Sequence, residues 1–252
     1  MVRPRLCVIC ALLTSMDICA GAPLPLPDGP DDPHPIIIRA MAAHGGRENL
    51  VRHARSYSCV KGQAGTALLS IQTWTDASGR SKVVLDWQDN GQKLAVTRVL
   101  DGHQGWEKIN DKEAVAGSAK DLREAQESLY QRRLVLLYPL LEDKNITLSY
   151  LGESKVGDTP VHAVRVASPD RQDVDLHFDK VSGLLLKSEC KVFSGMNRGK
   201  TIQIYRDNYV DREGVKIAAK VRMILDGRLY SEDELVEYRT IREFEPQTFA
   251  KP

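Results

Sequence analysis

Six histidines (His34, His44, His53, His103, His162 and His177) are the first residues to test for chemistry. No two of them have the spacing of a metal-binding helix such as H-E-x-x-H, and the chain carries no G-x-S-x-G elbow, P-loop or G-x-G-x-x-G phosphate loop. His162 alternates in step with Val164 and Val166, so its ring is expected on the apolar side of a strand. It is the least implausible acid–base residue of the chain, although a hydrogen-bonded core role is simpler. His44 stands where a helix is expected to end, and reads as a surface residue beside the cap. His177 shares its parity with Asp175 and Asp179 and reads as solvated. Asp173, Asp175 and Asp179 alternate as calcium ligands can, but no glycine-bearing calcium loop surrounds them. A solvated strand face is the reading, as it is for the charge run Glu232-Asp233-Glu234. These residues predict no catalytic group, no metal site and no cofactor.

Of the five cysteines, Cys7, Cys10 and Cys19 lie in a segment with the features of an export signal. Arg3 and Arg5 supply its positive start, Leu6 to Met16 its apolar run, and Ala20, Gly21 and Ala22 the small residues that a signal peptidase requires. The run is too short to anchor the chain in a bilayer, so no transmembrane anchor is expected after cleavage behind Ala20. Cys59 and Cys190 remain, and an oxidising compartment permits them either to bridge or to stay as separate thiols. The whole chain has a formal net charge of +1, and loss of residues 1–20 removes Arg3, Arg5 and Asp17, leaving none. A neutral protein has no electrostatic footprint for nucleic acid. The 42% hydrophobic and 27% charged composition suits a folded domain rather than a disordered chain.

Residues 21–35 hold six of the twelve prolines and read as a linker. A single domain over residues 36–250 is expected to follow. Ile36 to Ala43 and Arg47 to about His53 predict short helices, separated by the glycines that end the first. Beyond them the hydrophobic period changes to two. Ten stretches alternate in this way: from Ala67, Val83, Leu94, Ile146, Pro160, Val174, Leu184, Lys200, Val215 and Leu229. Polar, glycine-bearing turns such as Asp89-Asn90-Gly91, Asp101-Gly102 and Asp226-Gly227 separate many of them. One helical segment over residues 118–138 interrupts the series, with Leu122, Ala125, Leu129, Arg133 and Leu136 as its stripe. In the strand from Val215, the set Val215, Ile217, Ala219, Val221, Met223 and Leu225 is apolar throughout. A large antiparallel sheet with one dry face must curl and cover that face. Few helices are on offer to fill it, so a gap is expected where a ligand could lie. Trp87 shares the dry parity of Val83 and Leu85, whereas Trp74 is ambiguous.

The order of elements, and the phrases Ala42-Ala43-His44-Gly45-Gly46, Val99-Leu100-Asp101-Gly102 and Phe178-Asp179-Lys180 with Ser182-Gly183-Leu184, resemble the LolA/LolB-like superfamily of lipoprotein carriers over about residues 36–250. The resemblance implies an α+β, mainly antiparallel fold: an unclosed half-barrel of about ten or eleven strands with a helical lid on its concave face. It also implies a periplasmic binding protein, not an enzyme, whose hydrophobic cavity takes lipid or the acyl chains of lipoproteins, with an envelope protein as a further partner. A non-transporting sensor or interaction module of the same fold is the alternative. Strand parity nominates Leu69, Ile71, Leu85, Trp87, Val221 and Met223 as cavity lining. By position Arg55, Arg80 and Arg98 are all candidates for the arginine that latches the lid.

Overall fold

The computed structural model describes residues 32–193 and 197–252. The export segment expected over 1–20 and the proline-rich stretch up to residue 31 lie outside the described residues. Two helices, α1 (His34–Ala43) and α2 (Arg47–Arg52), come first. Six strands follow: β1 (Arg55–Ala64), β2 (Ala67–Asp76), β3 (Arg80–Asp89), β4 (Gln92–Asp101), β5 (Gln104–Ile109) and β6 (Val115–Ala116). After α3 (Ala119–Leu134) and α4 (Pro139–Glu142) come β7 (Thr147–Val156), β8 (Thr159–Ala167), β9 (Val174–Asp179) and β10 (Leu185–Lys191). The long strands β11 (Thr201–Arg212), β12 (Val215–Leu225) and β13 (Arg228–Thr240) complete the set, and a 3-10 turn at Pro246–Phe249 ends it.

All thirteen strands form one antiparallel sheet, in the order β6-β5-β4-β3-β2-β1-β13-β12-β11-β10-β9-β8-β7. The chain thus lays one arm outward from β1 to β6, crosses through α3 and α4 to the opposite edge, and returns strand by strand until β13 pairs with β1. Thirteen strands exceed the ten or eleven expected. The alternating stretches leave out β1, β5 and β6. The inward set of β1 is Ser56, Ser58, Val60, Gly62 and Ala64, too small and polar to show a period, and β6 is two residues long.

How far the sheet curls follows from α3. Strands β5 and β8 stand ten places apart, about 48 Å along a flat sheet. Yet Leu122 of α3 abuts Gly105 of β5, where an added Cβ would lie 2.8 Å from the leucine Cδ2. Leu134 of the same helix is buried with Val164 of β8, only about 18 Å further along the helix axis. One helix can touch both arms only if the sheet wraps around it. The barrel stays open because β6 and β7 are unpaired with each other.

Local chemistry fixes α3. Ser118 and Asp121 form a reciprocal capping box, the serine hydroxyl accepting from the Asp121 N–H while the aspartate accepts from the Ser118 N–H. The helix is shorter than the 118–138 expected: Leu137 adopts φ +62°, and Pro139 then starts α4. Its buried residues are Glu127, Leu129, Tyr130 and Leu134, while Arg133 instead leaves the expected stripe to pair with Asp143 at 2.9 Å. At the other helical pair, Gly45 (φ +116°) lies so close to the β11–β12 turn that a Cβ would fall 2.0 Å from the Gly214 carbonyl oxygen. Asn49 Nδ2 donates to the carbonyls of both Gly45 and Gly214, clamping α1 and α2 to that turn. Helix α1 itself starts at His34, inside the stretch expected to be linker, with Pro35 in its first turn.

The main core lies between α1, α3, α4 and strands β8–β10, around Ile37, Leu134, Val164, Leu176, Phe178 and Leu185. On the opposite, outer face, the C-terminal segment covers β3 and β4. There Phe244 and Phe249 meet edge to face at 4.9 Å, and Arg80 stacks on Phe249. Cys59 and Cys190 are separate thiols. Cys190 shares the face of Ile202 and Val174, which points inward, whereas Cys59 shares that of Gln72 and Glu237, which points outward. Two cysteines on opposite faces, four strand positions apart, cannot meet the 7 Å limit on Cα separation for a disulfide.

Candidate functional site

Residues directly opposite one another in an antiparallel ladder share a face, so the registers define the inner surface strand by strand. One row runs Val221–Asp233–Gly62–Leu69–Trp87–Leu94 from β12 to β4. The next runs Leu235–Val60–Ile71–Leu85–Val96–Ile109 from β13 to β5. Met223 stands between Ile204 and Ser231 on the same face. All six nominated residues, Leu69, Ile71, Leu85, Trp87, Val221 and Met223, therefore face inward together. The opposite face carries its own row, Tyr57–Trp74–Lys82–Val99–Trp106, which places Trp74 and Trp106 outside.

Burial along this inner face is uneven. On β8 and β9 Val164, Val166 and Leu176 are 0% exposed, with Phe178 at 1%. On β1–β3 and β11–β13 the six nominated residues, with Val60, Ile204, Ile217 and Leu235 beside them, are only half-buried, while Ala67 and Val215, at strand ends, are buried. One arm of the half-barrel is filled with side chains, and the middle of the sheet presents an apolar floor that nothing fully covers.

Over the β3–β5 side α3 forms a roof. The space beneath it is a cavity of about 370 Å³ whose walls include Val83, Leu100, Gly105, Leu122, Ala125 and Arg132. This falls within the usual range for small-molecule sites, and Val83 continues along β3 into Leu85 and Trp87. The cavity's carboxylates are matched: Asp121 with Ser118, Glu107 with Arg98, and Glu124 with Lys120. Of the three latch candidates only Arg98 faces inward, where Glu107 holds it at 2.6 Å. Arg80 points outward to Asp76 and Phe249, and Arg55 donates to the Arg242 carbonyl. A larger cleft of about 790 Å³ opens between α2 and Ile241, rimmed by Arg52, Arg55, Arg133 and Arg242. It shares no lining residue with the apolar floor.

Three charged groups on or over this inner face were missed in the sequence. Asp233, read as part of a solvated charge run, is 5% exposed. Its carboxyl lies over Gly62, where an added Cβ would fall 2.1 Å from Oδ1. Ser231 donates to Oδ2 at 3.1 Å, while Oδ1 has no partner among the described residues. Burial raises its pKa. Arg206, opposite Val221, donates to Ser188 Oγ and the Ile204 carbonyl and makes no ion pair among the described residues. Arg132 projects from α3 into the cavity. The signal for all three was parity: Asp233 is in step with Ser231, Arg206 with Ile202 and Ile204, and Arg132 is spaced three and seven residues from Leu129 and Ala125.

The histidines divide differently from expectation. His162 does face inward, half-buried, 3.0 Å from the Tyr150 hydroxyl, and burial lowers its pKa. His44 is not a surface residue: it is 5% exposed, bonded to the Ala40 carbonyl and packed edge-on against Tyr209. His177 lies on the outer face as expected but is half-buried rather than freely solvated. Its Nδ1 is buried without a partner among the described residues, and desolvation, aided by Lys187, pushes its pKa down to about 4. Asp175 is taken up in a bidentate pair with Arg165, and Asp179 accepts from the Val181 N–H and the Ser182 hydroxyl. Neither has the free oxygens of a cation site.

No protein-family model matches the chain, and no curated protein matches it in sequence. Solved structures do match it in fold. The LolA superfamily protein NE2245 of Nitrosomonas europaea aligns over 81% of this chain and 96% of its own, at 14% identity and a TM-score of 0.51. A putative outer membrane lipoprotein-sorting protein domain of Vibrio parahaemolyticus aligns over 86% and 95%, at 13% identity and a TM-score of 0.53. A DUF1329 family protein of Desulfovibrio piger aligns over 86% and 96%, at 12% identity and a TM-score of 0.52. The chain thus has the fold of the LolA superfamily, an unclosed antiparallel half-barrel with helices on its inner side. No helix among the described residues is long and apolar enough to cross a membrane.

Proposed function

We propose that the protein is an exported, periplasmic or cell-envelope binding protein whose half-barrel holds the acyl chain of a lipid or of a lipid-modified protein, in a carrier or sorting role. The observation that carries this reading is the apolar floor of β1–β3 and β11–β13, inward-facing and only half-buried. A similar fold occurs in the putative outer membrane lipoprotein-sorting protein domain of Vibrio parahaemolyticus. Each methylene moved from water onto such a floor contributes about 0.8 kcal/mol, so a long chain binds usefully without any reacting group, after the cost of ordering it. The inner histidine, His162, is held by the Tyr150 hydroxyl at 3.0 Å.

Titrating the delipidated protein with a fluorescent acyl probe tests it. Saturable binding that quenches Trp87 is expected, weakened at least tenfold by Leu85→Asp or Ile71→Asp. Binding that ignores both substitutions would place the chain elsewhere. The second reading is a sensor or interaction module that carries nothing, favoured by the filled arm at β8–β10. It predicts no acyl binding at all.

A further inference from the structure

Arg132 is the one inward cation of α3 without an account in the fold. It lines the cavity beneath the helix, water reaches it, and among the described residues it makes neither a hydrogen bond nor an ion pair. An exposed guanidinium without a protein counter-charge is free to form a charge-assisted pair with an anion that enters the cavity. The other charges of the cavity cannot supply one. Glu107, Asp121 and Glu124 are each engaged, and Asp121 and Glu124 sit two or more turns nearer the helix N-terminus, so the space is acidic at one end and singly cationic at the other. Arg206, on the floor, is a second inward cation without a carboxylate partner among the described residues. The side of the cavity towards Arg132 therefore asks for one negative charge, and the floor beyond it asks for hydrocarbon.

We infer that the cavity selects an amphiphile with a single anionic head group, a long-chain carboxylate being the simplest, with its head on Arg132 and its chain on the apolar surface of Val83, Leu85 and Trp87. The guanidinium fork matches a carboxylate with two parallel N–H···O bonds. This inference rests on the acyl-chain reading above and adds the chemistry of the head group to it. It distinguishes a free acid from the neutral, ester- or amide-linked acyl chains of a lipid-modified protein, which offer no anion at that place.

Competition of dodecanoate and dodecanol against the acyl probe tests it, in the full chain and in Arg132→Gln and Arg132→Lys. Glutamine and lysine are both good helix formers, and circular dichroism checks that α3 persists. The expected result is a preference for the acid of at least about tenfold, the scale of a charge-assisted hydrogen bond. That preference should collapse in Arg132→Gln and be partly kept in Arg132→Lys. Equal binding of acid and alcohol, or a preference that survives Arg132→Gln, overturns the head-group assignment while the acyl-chain reading stands. If neither competitor nor probe binds, the acyl-chain reading itself fails and takes this inference with it.

Discussion

Asp233 holds a carboxyl inside an apolar half-barrel with one oxygen unmatched among the described residues, and the consequence for stability has a definite sign. Burial raises its folded-state pKa, so the folded protein resists ionisation that the unfolded chain accepts. The resulting loss of stability is absent at acid pH, where both states are protonated, and grows as pH rises past the unfolded carboxylate pKa. Asp233→Asn should therefore raise the melting temperature at neutral pH. The gain should vanish below the ordinary carboxylate range of about pH 4; thermal melts at the two pH values check it. A larger cost comes from Gly62→Val, which drives a branched side chain into that carboxyl and should lower the melting temperature at every pH. Single residues were legible in the sequence where alternation was clean. Trp87 and Met223 were placed on the right face by parity, whereas Asp233 was hidden between two glutamates that do face outward. His44 was misread because a helix end is usually exposed, and here it is covered by Tyr209.

At the scale of elements, α3 is the part that decides whether the interior is open. It touches both arms of the sheet, its roof position depends on the bare backbone of Gly105, and its first turn is held by the Ser118–Asp121 box. Ser118→Ala should cost about 1 kcal/mol of stability and speed amide exchange in the first turns of α3 without altering β8–β10, a difference that hydrogen-exchange mass spectrometry resolves. The existence of this helix was plain from its composition, but its length was not, because the break from α4 is a short turn over residues 135–138 in which Leu137 adopts a left-handed conformation. Strands with a strong period, such as β3 and β12, were equally plain. β1 was not, since its inward residues are small, and no local pattern marks the two-residue β6.

The described residues owe their shape to a count: thirteen strands are too many for a flat sheet, and too few helices are present among the described residues to line it. α1, α3 and α4 fill one arm completely and leave the middle of the floor half-covered. The curl and the dry face were foreseeable from the apolar parity of β12, and the fold from its likeness in phrase and order to the LolA superfamily. What fills the open part was not, because sequence alternation reports which side a residue faces and not what lies across from it. The most direct test is native mass spectrometry of the purified chain, with lipid extraction of the same sample. An extra mass that disappears on delipidation, returns with added acyl ligand and is lost in Leu85→Asp is the predicted result. A bare protein mass that takes up no acyl ligand at any concentration would contradict the account.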